Sequence, residues 1–287
     1  MTGQRIQTNL QIMITKQDFL DIDNQIKESI QQTLNTLKTS SVSNYVLFLA
    51  DGEYDKSLEN TVQNLNPFTV DNRRDGYKDS TRLTFLNNFL NAFYSFLNEQ
   101  PVADDNEQRI HLELMVYSHI WESKPFLKKL HRLAHISNGE EYDWQLNAPD
   151  MGKHDFIRNN IRGVFENTGN NIAEIIRKGF HTSLRNAFAH SEYSFDTMNG
   201  NQRIWLDNYN GAAWELQEIS FDDWSKRFAH SVLLSYNLLN QVHFNRTSLI
   251  ADFGTDRFSI RHPSKSGIVR DTNIIYRHEH DSFNFEH

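Results

Sequence analysis

The amino-acid sequence predicts an all-α fold, an antiparallel helical bundle with a small β-hairpin inserted before its last helix. Three observations carry that expectation. Apolar residues recur every three or four positions through most of the chain, the period of a helix that buries one face. Helix breakers are scarce, with 12 Gly and 5 Pro in 287 residues, which favours long uninterrupted elements. The exception is the stretch 193–219, where short extended segments are separated by Asn199-Gly200 and Asn210-Gly211. Asn-Gly supplies the positive φ angles that tight hairpins need.

The elements follow in order. Residues 18–38 read as a helix with Phe19, Ile22, Ile26, Ile30 and Leu34 on one face. Residues 44–64 read as a second helix, or as a short strand at 45–49. The run 67–78, with adjacent Arg73 and Arg74, reads as a loop and a boundary. Helices are expected over 80–98, aligning Leu83, Leu86, Leu90, Phe93 and Leu97, and over 107–123, aligning Ile110, Leu114, Tyr117 and Trp121. Pro125 interrupts, because its ring disfavours helix at the preceding residue and removes a donor. Leu127, Leu130 and Ala134 then continue in a reoriented helix that Asn138-Gly139 stops.

Residues 140–153 read as a loop, and 154–167 and 170–189 as two further helices. Strands are expected at 193–196, 203–206 and 215–219. Ser220 with Asp223 resembles a capping box that opens a last helix, 221–243. The tail from Ala251 alternates at Phe258, Ile260, Ile274 and Tyr276 and reads as a hairpin or a partly disordered extension. The organisation expected is an accessory segment 1–75, a helical domain 76–250 and an extension 251–287, without internal repeats.

Composition narrows the function. Lys and Arg total 29 against 37 Asp and Glu, a net charge of −8. That excludes a globally basic nucleic-acid coat and leaves a local phosphate site open. An aromatic share of 12% is too high for a disordered chain. With no cysteine, disulfides, thiolate metal sites and cysteine nucleophiles are excluded. No apolar run approaches the roughly 18 residues of a membrane span, and the N-terminus has no signal-peptide pattern. The expectation is a cytoplasmic protein without a membrane partner. Gly163 and Gly169 lack the spacing of a phosphate-binding loop, and neither Gly-Lys-Ser/Thr nor Gly-x-Ser-x-Gly occurs, which disfavours an NTPase, a dinucleotide enzyme and a serine hydrolase. No cofactor is expected.

One segment carries chemistry: Leu184-Arg185-Asn186-Ala187-Phe188-Ala189-His190-Ser191-Glu192-Tyr193. Arg is permanently charged and offers a fork of N–H donors suited to phosphate. His exchanges a proton near neutral pH. Those are the two services that cleavage of RNA by its own 2′-hydroxyl requires, proton transfer and stabilisation of charge on the phosphoryl oxygens. If one helix runs through both, Arg185 and His190 differ by about 140° in direction and about 7.5 Å in rise. A single chain then does not converge them, whereas a two-fold pair of chains brings two such sets to one cleft.

The segment resembles the HEPN superfamily, whose signature is Arg, a polar residue, three to five further residues and His. The apolar helices before it and the extended Tyr-x-Phe after it fit the same family. The resemblance covers residues 80–245. It implies a HEPN-like fold and a metal-independent endoribonuclease, with a composite site at a homodimer interface and products ending in a 2′,3′-cyclic phosphate and a 5′-hydroxyl. It also implies a toxin or anti-phage defence role held in check by an antitoxin or other regulatory partner. On this reading Arg185 stabilises the phosphate, His190 is the general acid or base, and Asn186 orients one of them or contacts the phosphate. Arg177, Lys178 and Glu192 are the candidate RNA contacts.

The alternative is a non-catalytic module that binds nucleotide, RNA or a partner protein. Arg185 then pairs with an acidic residue such as Glu174 or Glu192, and His190 sits as a cation at a helix C-terminus. Other candidates are weaker. His131 and His135 at i, i+4 have metal-ligand spacing but no intervening Glu and no evident third ligand, and no metal is expected. Arg177-x3-His181 and Arg227-x2-His230 are too short for the signature, His278 and His280 read as solvated, and Glu113 is a candidate polar partner from an earlier helix. The five tryptophans read as packing residues rather than base-stacking platforms.

Overall fold

The computed structural model describes residues 14–59, 65–71, 73–95, 107–198 and 201–286. Most helices form where the apolar spacing predicts them, and local capping sets their ends, but the helix expected over 44–64 reaches only Leu49, with a strand at Glu53–Tyr54 beyond it. Helix α1 (Lys16–Ser40) starts where the Thr15 hydroxyl accepts from Asp18 N. It buries Phe19, Ile26, Ile30, Leu34 and Leu37. Ser41 caps α2 (Val42–Leu49), whose residues from Asn44 to Leu49 are all buried. The strand considered at 45–49 is therefore a helix, and its apolar surface on every side suits full burial.

Helices α3 (Arg73–Phe93), α4 (Glu107–Glu122) and α5 (Lys124–Ser137) follow. Arg73 and Arg74 thus open a helix instead of lying in a loop. Ser123 separates α4 from α5 and caps the latter, with Pro125 in its first turn, where a missing N–H is harmless. Helix α6 is continuous but changes pitch: Lys153–Asp155 is α-helical, Phe156–Arg162 is π-helical, and Gly163–Asn167 is α-helical again. The single helix expected over 170–189 is two, α7 (Ile172–Gly179) and α8 (Thr182–His190). The last helix, α9 (Phe221–Phe253), runs past its expected end to Gly254, which takes the left-handed conformation that closes it.

The all-α, HEPN-like bundle with one hairpin is not the architecture found. The fold is mixed, with three small antiparallel sheets beside the helices. β1 (Glu53–Tyr54) pairs with β2 (Phe68–Thr69). The insertion before α9 is a three-stranded sheet, not a hairpin: β3 (Tyr193–Asp196), β4 (Arg203–Leu206) and β5 (Glu218–Ser220). The Asn199-Gly200 turn lies outside the described residues. The tail forms a third sheet from β6 (Arg257–Pro263), β7 (Val269–Arg277) and β8 (Ser282–Phe285).

The tail sheet forms because its alternation is real. Phe258, Ile260, Ile274, Tyr276 and Phe283 turn inward and are buried, and the sheet covers one side of α2. Nor is the helical packing antiparallel throughout. Asn237 donates to Asp23 at 2.8 Å, and Lys38 pairs with Asp252 at 2.8 Å, so α1 runs parallel to α9. One continuous hydrophobic core reaches from Ile14 to Phe283. Among the described residues no helix is long and apolar enough to cross a membrane.

Candidate functional site

The candidate site is built where the predicted single helix breaks. A Cβ on Gly179 would stand 3.0 Å from the Ser231 hydroxyl and 3.3 Å from its backbone nitrogen, so a larger residue here would have to displace Ser231 or push α7 away from α9. Phe180 turns extended. His181 N then donates to the Tyr117 hydroxyl at 2.9 Å, and His181 Nδ1 accepts from Ser183 N at 3.2 Å. That second bond caps α8. Burial, with Arg227 and Arg158 nearby, pushes His181 down to about 4, so the imidazole is neutral and able to accept.

Helix α8 sorts its residues by face. Thr182, Ser183, Leu184, Ala187 and Phe188 are buried, with Phe188 edge-on to Tyr117 and Trp224. Arg185 and Asn186 are half-buried, and His190 is exposed. Arg185 Nη1 donates to Asn186 Oδ1 at 2.8 Å. Arg185 Nη2 forms an ion pair with Glu122 Oε1. The other carboxylate oxygen of Glu122 accepts from Lys153 Nζ at 2.7 Å. Glu122, at the C-terminal end of α4, therefore holds two cations, one from α8 and one from the start of α6. Two acceptors leave the rest of the guanidinium's five N–H groups for other partners.

His190 ends α8. Ser191 follows in the left-handed region at φ 57°, and Glu192 N donates to Ala187 O at 2.8 Å. Among the described residues the His190 side chain makes no hydrogen bond. The helix persists through His190, so Arg185 and His190 diverge by about 140° around its axis.

The candidate RNA contacts are placed less favourably. Arg177 pairs with Glu174 at 2.9 Å and Glu166 at 3.6 Å, and Lys178 lies 3.8 Å from Glu174. Much of that positive charge is thus offset locally. Glu192 is exposed, and its carbonyl accepts from Asp207 N.

The acidic partner of Arg185 is neither Glu174 nor Glu192. Glu113 does not serve the motif either. It is fully buried, accepts from the Tyr94 hydroxyl at 2.5 Å and Trp224 Nε1 at 2.9 Å, and pairs with Arg109 at 3.0 Å. Burial raises its carboxyl against the pull of Arg109. Glu122 and Lys153 are the site residues that sequence reasoning passed over, and His181 was weighed only within the too-short Arg177-x3-His181 pair. Of the first two, only Glu122 left a trace, at the polar end of a helix whose preceding turns are apolar.

His131 and His135 stack at 3.9 Å, and His131 stacks again on Phe156. Burial first, then His135 and Arg132, push His131 down to about 3. His135 is engaged with Glu140 at 2.7 Å and with the Asn160 carbonyl at 3.0 Å. Among the described residues no group of three or more His, Asp or Glu side chains is arranged to hold a metal ion. Trp121, Trp144 and Trp224 are core residues, whereas Trp214 is 54% exposed. No family model, curated protein or solved structure matches the chain.

Proposed function

We propose that this protein is a metal-independent endoribonuclease acting through Arg185, Asn186 and His190. One observation carries the reading: Arg185, Asn186 and His190 keep access to solvent, whereas Thr182, Ser183, Leu184, Ala187 and Phe188 of the same helix are buried. His190 takes the 2′-hydroxyl proton, or supplies a proton to the leaving 5′-oxygen. The 2′-oxygen attacks phosphorus and the bond to the 5′-oxygen breaks, leaving a 2′,3′-cyclic phosphate and a 5′-hydroxyl. Arg185 stabilises charge on the non-bridging oxygens. The Asn186 contact with Arg185 supports an orienting role, and the Glu122 pair fixes the guanidinium from the other side.

Because Arg185 and His190 diverge on one helix, the active species is a two-fold homodimer in which α8 of each chain lies near the axis. RNA is the substrate, the compartment is the cytoplasm, and toxin or anti-phage defence with a regulatory partner is the setting the motif suggests. The test is product analysis on RNA with chelator present. Ends carrying a 2′,3′-cyclic phosphate support the reading. Strict dependence on added Mg²⁺ or Mn²⁺ sinks it.

A further inference from the structure

A cavity of about 740 Å³ lies between the first turns of α1, the β3–β4–β5 sheet and the start of α9. Its volume lies in the range of small-molecule sites. His230 lines it and is 7% exposed. The His230 Nδ1 atom sits 2.7 Å from the Lys226 carbonyl. A carbonyl only accepts, so Nδ1 carries the proton and Nε2 keeps its lone pair. Burial lowers the His230 pKa, in keeping with a neutral ring. Nε2 is buried without a hydrogen-bond partner among the described residues. Leaving such an atom unpaired is costly, and it calls for an explanation.

The charges of the cavity are unevenly engaged. Three of its acids accept hydrogen bonds from neutral neighbours and keep their charge: Asp18 from Thr15, Asp21 from Gln17 and Asp223 from Ser220, each at 2.7 Å. Glu218 pairs with Arg203. Lys226 is exposed and has no ion-pair partner among the described residues. Arg227 spends one nitrogen on the Arg177 and Phe180 carbonyls, and its Nε has no partner among the described residues. Ile22, Leu216 and Ile219 add an apolar wall.

We infer that this cavity binds a nucleoside monophosphate, with the phosphate on Lys226 and Arg227, a ribose hydroxyl donating to His230 Nε2, and the base against Ile22, Leu216 and Ile219. The phosphate belongs to a free nucleotide or to the 5′ end of an RNA; the recognition chemistry is the same. The site stands independently of Arg185 and His190.

Calorimetric titration of the full chain tests it, using the four nucleoside 5′-monophosphates, their nucleosides, inorganic phosphate, and one RNA oligomer with either a 5′-phosphate or a 5′-hydroxyl. At least one monophosphate binds, and its nucleoside and inorganic phosphate bind at least about tenfold more weakly, a difference of about 1.4 kcal/mol. Lys226→Glu, a change at an exposed position, weakens nucleotide binding by about tenfold or more, and Arg185→Ala leaves it unchanged. If the phosphorylated RNA also binds with the same Lys226 dependence, the site takes RNA ends; if only mononucleotides bind, it takes free nucleotides. Absence of monophosphate binding at millimolar concentration overturns the inference. So does a nucleoside or inorganic phosphate that binds as tightly as the nucleotide, or a Lys226→Glu variant that binds normally.

Discussion

Arg185 of α8 and Glu122 of α4 form an ion pair that ties the candidate motif to the rest of the helical core. The same carboxylate holds Lys153. Three elements thus meet on one side chain, and the guanidinium direction depends on it.

Glu122→Gln keeps the shape and removes the charge. The Arg185 side chain is 18% exposed and Lys153 9%, so neither cation is fully solvated when its partner is lost. The expected cost is about 1–2 kcal/mol in denaturant unfolding. Cleavage falls through a misdirected Arg185, by less than in Arg185→Ala. A variant with unchanged cleavage denies Glu122 any positioning role.

Gly179→Ala tests why α7 stops where it does. The new methyl meets Ser231 Oγ and its backbone nitrogen. The Ser231 hydroxyl cannot retreat freely, since it accepts from Trp121 Nε1 and donates to the Arg227 carbonyl. Overpacking of this kind costs about 1–3 kcal/mol. Unfolding at wild-type denaturant concentration would show that the contact yields easily.

Arg246 fastens the tail sheet. It binds Asp71 through Nη1 at 2.7 Å and Nη2 at 3.2 Å, Asp281 through Nε at 2.8 Å, and the Leu49 carbonyl at 2.7 Å. Asp71 and Asp281 both adopt left-handed backbone conformations. Removing one partner of a buried pair costs about 3–5 kcal/mol. Arg246→Met therefore destabilises the protein by that order. Hydrogen exchange should quicken first in β7 and β8; uniform exchange across the chain would contradict the anchoring role.

Two histidines set an acid-side pH dependence. His131 and His181 have folded values near 3 and 4, below the unfolded value of about 6.5. The unfolded chain therefore binds more protons as pH falls below about 6.5. Stability is lost on acidification, by up to about 1.4 kcal/mol per pH unit for each histidine, until its folded value is reached. His181→Asn retains a capping oxygen and removes the titration. Its urea midpoint should fall less between pH 7 and pH 5 than that of the wild type; equal losses would contradict the assignment.

Much of this was legible in the sequence, for identifiable reasons. The stripes in α1, α4 and α9 are long and periodic, and Ser220 marked the α9 start. The short apolar run of α2 was ambiguous, because full burial erases the period that separates helix from strand. The break at 179–181 was hidden because apolar residues continue on both sides of it. Its causes are tertiary: Ser231 crowds Gly179, and Tyr117 takes the His181 N–H. Alternation in the tail was visible, but not the α2 surface that it covers. Arg185, Asn186 and His190 were readable as a motif, whereas the Glu122 pairing depends on two helices meeting.

The proposed proton carrier in a metal-independent cleavage of RNA is His190. The most direct test is the cleavage rate of one RNA, with chelator present, by wild type and by His190→Ala. His190 is exposed, so its replacement should leave unfolding within about 0.5 kcal/mol of wild type. Cleavage by the wild type and a fall of at least about a hundredfold in the variant are expected. A wild type that cleaves no RNA, or a variant that cleaves at the wild-type rate, would contradict the proposal.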